Sequence, residues 1–178
     1  MGTIREHPKV LAVMAVFSCS EQAIAWGLAQ AEANWGPLAL KSELFSFEET
    51  QYYESAMGKP LQKQLVAFER RFLPDELPQR KRQTNAWEAT YATEHPSDVT
   101  RPLNLDPGYL TEAKLILATT KDRDHRIYLA DGVFAECTLY FHRGAWRNRD
   151  WTYPDYQKPE YHQFFDQARR YYREQEAS

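Results

Sequence analysis

The sequence predicts an α+β fold: a single-layer sheet, mixed or mostly antiparallel, packed by about three helices. Three observations carry this reading. The run at 9–17 (KVLAVMAVF) is apolar without polar alternation, as a central strand covered on both faces should be. Asp131-Gly132 sits between two strand-like segments and is a strong hairpin signal. Helical spacing of apolar residues recurs after Ser20, after Asp75 and after Pro159. No linker or internal repeat divides residues 1–178, so the chain reads as one domain, of a size that buries roughly two-thirds of its unfolded surface.

The elements follow in order. After the first strand, Ser20 is a candidate N-cap, and Glu21 in the first turn suits the helix dipole. Ile24, Leu28 and Ala31 continue that helix until Trp35-Gly36-Pro37 stops it. Residues 38–47 alternate as a strand with an imperfect face, 52–57 read as a short helical turn closed by Gly58, and 64–72 (QLVAFERRF) return as a strand. Asp75 is a candidate cap for a helix to about Thr93, with Leu77, Thr84, Trp87 and Tyr91 on one stripe. This β-α-β-β-α opening becomes ferredoxin-like if the next strand returns to the sheet.

Beyond the polar connection 96–102, Asp106-Pro107-Gly108 carries a sharp turn signal. Residues 114–120 (KLILATT) fit two templates: Leu110, Ala113 and Leu117 have helical spacing, while Ile116, Thr119 and Thr120 favour strand. Residues 126–129 and 133–142 form the hairpin about Asp131-Gly132. In its second strand, period two places Glu136 with Phe134, Thr138 and Tyr140, opposite Ala135, Cys137, Leu139 and Phe141. Pro159 opens the last helix, with Tyr161, Phe164, Phe165 and Ala168 inward, joined by Tyr171 or Tyr172.

Bulk properties narrow the function classes. A net charge of -3 disfavours binding of long nucleic acid, which needs a basic footprint to displace counterions. The charge is uneven, however: residues 59–82 hold seven bases against Glu69, Asp75 and Glu76, so one face is expected to be locally basic. No apolar run approaches the roughly 18–20 residues that span a bilayer, and the expected location is cytoplasmic. Cys19 and Cys137 are expected to be buried apolar side chains. The five histidines are scattered without ligand spacing, so no metal site is expected, and no cofactor is indicated. Gly58-Lys59 has Tyr53 where a phosphate-binding loop needs glycine, and no dinucleotide-binding glycine pattern exists.

Two segments and one strand carboxylate gather chemistry. Residues 119–126 (TTKDRDHR) place Lys121, Asp122, His125 and Arg126 between two core elements; the cations suit a phosphate or carboxylate, or the charges pair with one another in a solvated turn. His125 and Asp122 are candidate acid–base groups, with Glu136, in an apolar strand, as a third candidate or their partner. Trp146, Arg147, Arg149, Trp151 and Tyr153 interleave rings with guanidiniums, a composition that serves nucleotides and also serves to seal a core.

Residues 151–156 (WTYPDY), with Leu105-Asp106-Pro107-Gly108-Tyr109 and 114–129 (KLILATTKDRDHRIYL), resemble the prokaryotic domain-of-unknown-function 4416 family across essentially the whole chain. The resemblance implies a single domain and assigns no activity. Asp106, Tyr109, Lys121, Asp122, Arg126, Trp151, Tyr153 and Asp155 fall within the segments by which the family is recognised.

The leading expectation is a small binding protein for an anionic ligand such as a nucleotide or short RNA. Its site would be assembled from the Asp106–Tyr109 turn, the Lys121–Arg126 loop and the Trp151–Tyr156 segment, through Asp106, Tyr109, Lys121, Arg126, Trp151, Tyr153 and Asp155. An enzyme using acid–base chemistry around His125, and an interaction protein without a small-molecule site, are the competing readings.

Overall fold

A computed structural model describes residues 2–47 and 54–176. The first apolar run becomes β1 (Leu11–Ser18), buried at every position. Ser20 then caps α1 (Glu21–Trp35), its Oγ accepting the Ala23 N–H at 3.4 Å, and Gly36 ends the helix with φ 98°. The next strand is broken into β2 (Leu38–Lys41) and β3 (Phe45–Ser46). Of the helical turn expected at 52–57, the part in view is α2 (Glu54–Met57); residues 52 and 53 lie outside the described residues.

β4 (Gln62–Phe68) begins earlier than its pattern suggests, and Phe72 instead bridges Val10. A 3-10 turn at Pro74–Glu76 leads into α3 (Leu77–Glu94). Asp75 is not the cap: the Glu76 carboxylate reaches back and accepts the Leu73 N–H at 3.1 Å. β5 (Asn104–Leu110) and β6 (Lys114–Thr119) follow. The expected turn at Asp106-Pro107-Gly108 is therefore strand, as is the ambiguous segment up to Thr119.

β7 (Ile127–Ala130) and β8 (Val133–His142) form the expected hairpin, with Asp131 and Gly132 at φ 54° and 75° as the tight two-residue turn requires. A second hairpin through Arg143-Gly144 adds β9 (Ala145–Asn148), which the interleaved Trp–Arg reading had left unassigned. After a 3-10 turn at Pro154–Gln157, α4 (Pro159–Glu176) closes the described chain.

One antiparallel sheet orders the strands β2-β4-β1-β5-β6-β8-β7, with β3 beside β4 and β9 beside β8. β5 does return beside β1, so β2-β4-β1-β5 with α1 and α3 is the interleaved pair of split β-α-β units expected of a ferredoxin-like opening. Alternate residues of β1 feed two cores. Val10, Ala12, Met14 and Val16 meet α1 and α3, while Leu11, Val13 and Ala15 meet α4 through Tyr161, Phe164 and Phe165. This is why β1 tolerates no polar alternation. Cys19 and Cys137 are half-buried at the margins rather than inside.

Two local irregularities shape the site. β5 pairs with β1 along its whole length but with β6 only from Gly108–Leu117 to Leu110–Leu115. Pairing stops at Pro107, which has no N–H to extend a ladder. The strands stay parted at Asn104–Asp106 and Ala118–Thr119. In β8, Leu115 faces Leu139 but Ile116 faces Cys137, leaving Thr138 as an extra residue. This bulge reverses the alternation beyond it: Leu139 and Phe141 join the α4 face, where the uninterrupted period-two reading had put them opposite Glu136.

Candidate functional site

The gap between β5 and β6 opens into a cleft enclosing about 880 Å³ of empty space, mouth included. One bank is built from β4, β5, α3 and the turn at Pro154–Gln157. Lys63 of β4 faces the α4 side beside Phe17 and donates to Asp155 Oδ2 at 2.5 Å. Its ammonium lies 4.6 Å from the Phe17 ring centre, 4.0 Å from Phe47 and 5.3 Å from Tyr156, so a carboxylate and three π faces replace its water. Lys81 of α3, from the opposite face of the sheet, reaches the same gap and donates to Leu105 O at 3.0 Å and Asp106 Oδ1 at 3.1 Å.

Asp106 also accepts from Asn104 Nδ2 at 2.8 Å, and Asn104 Oδ1 in turn accepts from Arg101. Burial alone would raise the Asp106 pKa. The Lys81 and Lys63 ammoniums, with the hydrogen bonds from Lys81 and Asn104, outweigh it and hold the carboxyl below the ordinary aspartate value. Behind Arg101, Glu88 is displaced the other way. Burial raises it against the opposing pull of Lys81, Arg101 and the Leu105 N–H. Tyr156 is pushed well above the usual tyrosine range by burial and by the carboxylates of Asp155, Asp106 and Glu136, so its hydroxyl keeps its proton.

The other bank comes from β6, β8 and the loop between β6 and β7. Glu136 is buried on the cleft side and takes Arg126 Nε at 2.9 Å, His125 Nε2 at 3.1 Å and Thr138 Oγ1 at 3.2 Å. Arg126 supplies a cation to this buried strand carboxylate, and His125 and Thr138 supply further hydrogen bonds. Arg126 also donates to Lys121 O at 2.9 Å and to the Tyr153 hydroxyl at 3.4 Å. Burial would lower its pKa, but Glu136 and Tyr153 raise it.

The model of the family described as Domain of unknown function (DUF4416) matches residues 8–172. The chain belongs to this family. No curated protein and no solved structure matches it.

In this DUF4416 domain the three segments singled out in the sequence meet at one cleft, lined by Asp106, by Lys121 and Arg126, and by Tyr153 and Asp155, with Glu136 alongside. The remaining candidates lie elsewhere. Tyr109 points to the α1–α3 face and meets Phe72 edge-on at 6.3 Å, because it is three residues beyond Asp106 on a strand. Asp122 is exposed outside the lining. His125 stands behind Glu136, both ring nitrogens engaged, by Asp124 at 3.1 Å and by Glu136. Trp151 stacks on His125 at 4.9 Å and 13° and donates its indole N–H to Cys137 O at 3.1 Å. It buttresses the wall without lining the cleft.

The WTYPDY segment divides by position: Trp151 and Tyr153 are exposed, whereas Thr152, Asp155 and Tyr156 are buried. Of the other interleaved residues, Trp146 packs in the α4 core and Arg149 lies 3.8 Å from the Tyr140 ring. Lys63, Lys81, Arg101 and Asn104 escaped the sequence reading. The one available signal was the basic excess at 59–82, which contains both lysines. Among the described residues no three of His, Cys, Asp and Glu are grouped to hold a metal ion, and no helix is long and apolar enough to cross a membrane.

Proposed function

We propose that this protein binds a small anionic ligand of the nucleotide type in the cleft between β5 and β6. The observation that carries the reading is the charge of the lining: Lys63, Lys81, Arg101, Lys121 and Arg126 against Asp106, Glu136 and Asp155. A cleft that is positive in balance concentrates an anion within low-dielectric walls. Tyr153, 41% exposed at the rim and held through its hydroxyl by Arg126, offers a ring face to a base. Short RNA shares this chemistry. Acid–base catalysis around His125 has less support, since that ring is capped by Trp151 and spent on two carboxylates. In this reading the protein works in the cytoplasm, where nucleotides are abundant and two unpaired thiols persist.

Calorimetric titration with the four nucleoside 5′-monophosphates and with a tetranucleotide RNA tests it. The expected result is a monophosphate dissociation constant below about 1 mM, weakened about tenfold or more by Arg101→Ala with Lys121→Ala. Absence of binding by all ligands, or binding indifferent to both substitutions, sinks the proposal. A clear preference for the tetranucleotide replaces the nucleotide with single-stranded RNA.

A further inference from the structure

The charged groups lining the cleft differ sharply in what they can still do. Lys63, Lys81, Arg126, Glu136 and Asp155 have side chains only 3% to 6% accessible, each already held by an opposite charge. Three lining charges keep more accessible surface: Asp106 at 33%, Arg101 at 38%, and Lys121 on the exposed loop. A ligand in the cleft meets these three.

Asp106 is the only carboxylate of the lining, among the described residues, with room for a ligand. Its Oδ1 accepts from Lys81 and its Oδ2 from Asn104, and each carboxylate oxygen has two lone pairs, so one acceptor position per oxygen is left. Two ammoniums and the nearby Arg101 surround this carboxylate, so a further cation brought to it would be repelled. A neutral hydroxyl donates without that penalty, and two adjacent hydroxyls match two adjacent acceptor positions. Asn104 ties Arg101 to Asp106, which sets an accessible guanidinium beside the accessible carboxylate.

From this juxtaposition we infer that the cleft selects ligands carrying a vicinal diol beside their anionic group, as ribonucleotides and phosphorylated sugars do, with Asp106 accepting the diol and Arg101 and Lys121 the anion. The inference rests on the anion-binding reading given above and specifies its ligand.

The test is titration of the unaltered protein with adenosine 5′-monophosphate, its 2′-deoxy and 2′,3′-dideoxy counterparts, and ribose 5-phosphate, repeated on Asp106→Asn. The expected result is a loss of about tenfold or more for the deoxy ligand and a larger one for the dideoxy ligand, because an acceptor inside the cleft is left unmatched. In Asp106→Asn the ribo preference shrinks. Ribose 5-phosphate binding as tightly as the nucleotide identifies a sugar phosphate as the source of this chemistry, and tighter nucleotide binding identifies the base as a further contact; either supports the diol. Equal affinity for all three adenosine ligands overturns the diol inference and leaves the anion site standing. No binding by any of them overturns both. The ligand series decides the matter even if Asp106→Asn fails to fold.

Discussion

β5 is paired with β1 over seven residues, yet its two ends live in different environments. At Gly108–Leu110 it is zipped to β6, and the backbones are so close that a Cβ on Gly108 would stand 2.3 Å from the Ile116 carbonyl oxygen. The neighbours there are Leu110, Leu115 and Leu139, all fully buried. At Asn104–Pro107 the β6 side is open, and the neighbours are Lys63, Lys81, Arg101 and Asp155. The sheet does one job with both halves. A tight seam sets where the parting begins, and the parting exposes backbone and carboxylate to side chains from both faces. Charges cluster where the sheet stops satisfying itself.

The largest effect expected from breaking this contrast is on the sealed charges. Asp155→Ala leaves the Lys63 ammonium among three aromatic rings without its counterion, and the expected cost is about 3–5 kcal/mol in chemical denaturation. Pairing Lys63→Met with Asp155→Leu is expected to recover most of that loss, since a well-packed apolar pair replaces a buried ion pair at little net cost. A cost below about 1 kcal/mol for Asp155→Ala would mean that Lys63 does not depend on Asp155.

At the zipped end, Gly108→Ala drives a methyl into the Ile116 carbonyl and to 2.8 Å from Leu117 Cδ2. The backbone oxygen cannot rotate aside, so the strands must separate, at an expected cost of about 1–3 kcal/mol. Amide exchange should show the loss of protection concentrated at Leu110, Leu115 and Leu117. Uniform loss across the sheet would contradict the idea of a local seam.

The parts legible in the sequence are those whose cause is local. The unbroken run at 9–17, the Ser20 cap, the Gly36 stop, the Asp131-Gly132 turn and the last helix all follow from the neighbouring few residues. Asp106-Pro107-Gly108 misled for the same reason. Its composition is that of a turn, but seven consecutive pairings with β1 impose an extended chain, and proline and glycine instead mark where β6 departs and where it comes closest. The cleft's sealed charges were invisible because their partners are remote: Lys63 and Asp155 are 92 residues apart, Lys81 and Asp106 are 25. α3 shows the difficulty most plainly. Its apolar stripe is real, yet its inner face also buries Lys81 and Arg80, the latter with its guanidinium 4.0 Å from the Phe72 ring and its pKa lowered by burial to about 10.

A smaller effect tests the open charges. Asp106 and Glu88 are displaced in opposite directions, Asp106 below and Glu88 above their ordinary values. The stabilisation linked to Asp106 is complete above its unfolded pKa of about 4 and is lost as pH falls through its lower folded value. Glu88 does the reverse: ionised at neutral pH it costs stability, which returns as pH falls through its raised folded value toward its unfolded one. Mild acid should therefore protonate Glu88 first, without loss of the fold, and stronger acid should remove the contribution of Asp106. Carboxyl-carbon NMR across pH 2–7 would resolve the two. Asp106 titrating above the usual aspartate range would show that burial, not the two ammoniums, governs the cleft floor.

The smallest effect belongs to a charge pair that joins the same elements outside the cleft. Arg82, next to Lys81 on α3, meets Asp131 of the β7–β8 turn at 2.9 Å, with both side chains more than half exposed. Water screens this pair and neither group is desolvated, so Arg82→Ala is expected to cost no more than about 0.5–1 kcal/mol. Two adjacent basic residues of one helix thus separate the contributions of burial and of pairing. Lys81→Ala removes a cation held by Leu105 and Asp106 inside the gap, and should cost several times more than Arg82→Ala in the same denaturation experiment. Equal costs for the two would mean that the parted end of β5 is as well hydrated as the surface, and that its charges gain nothing from lying between the strands.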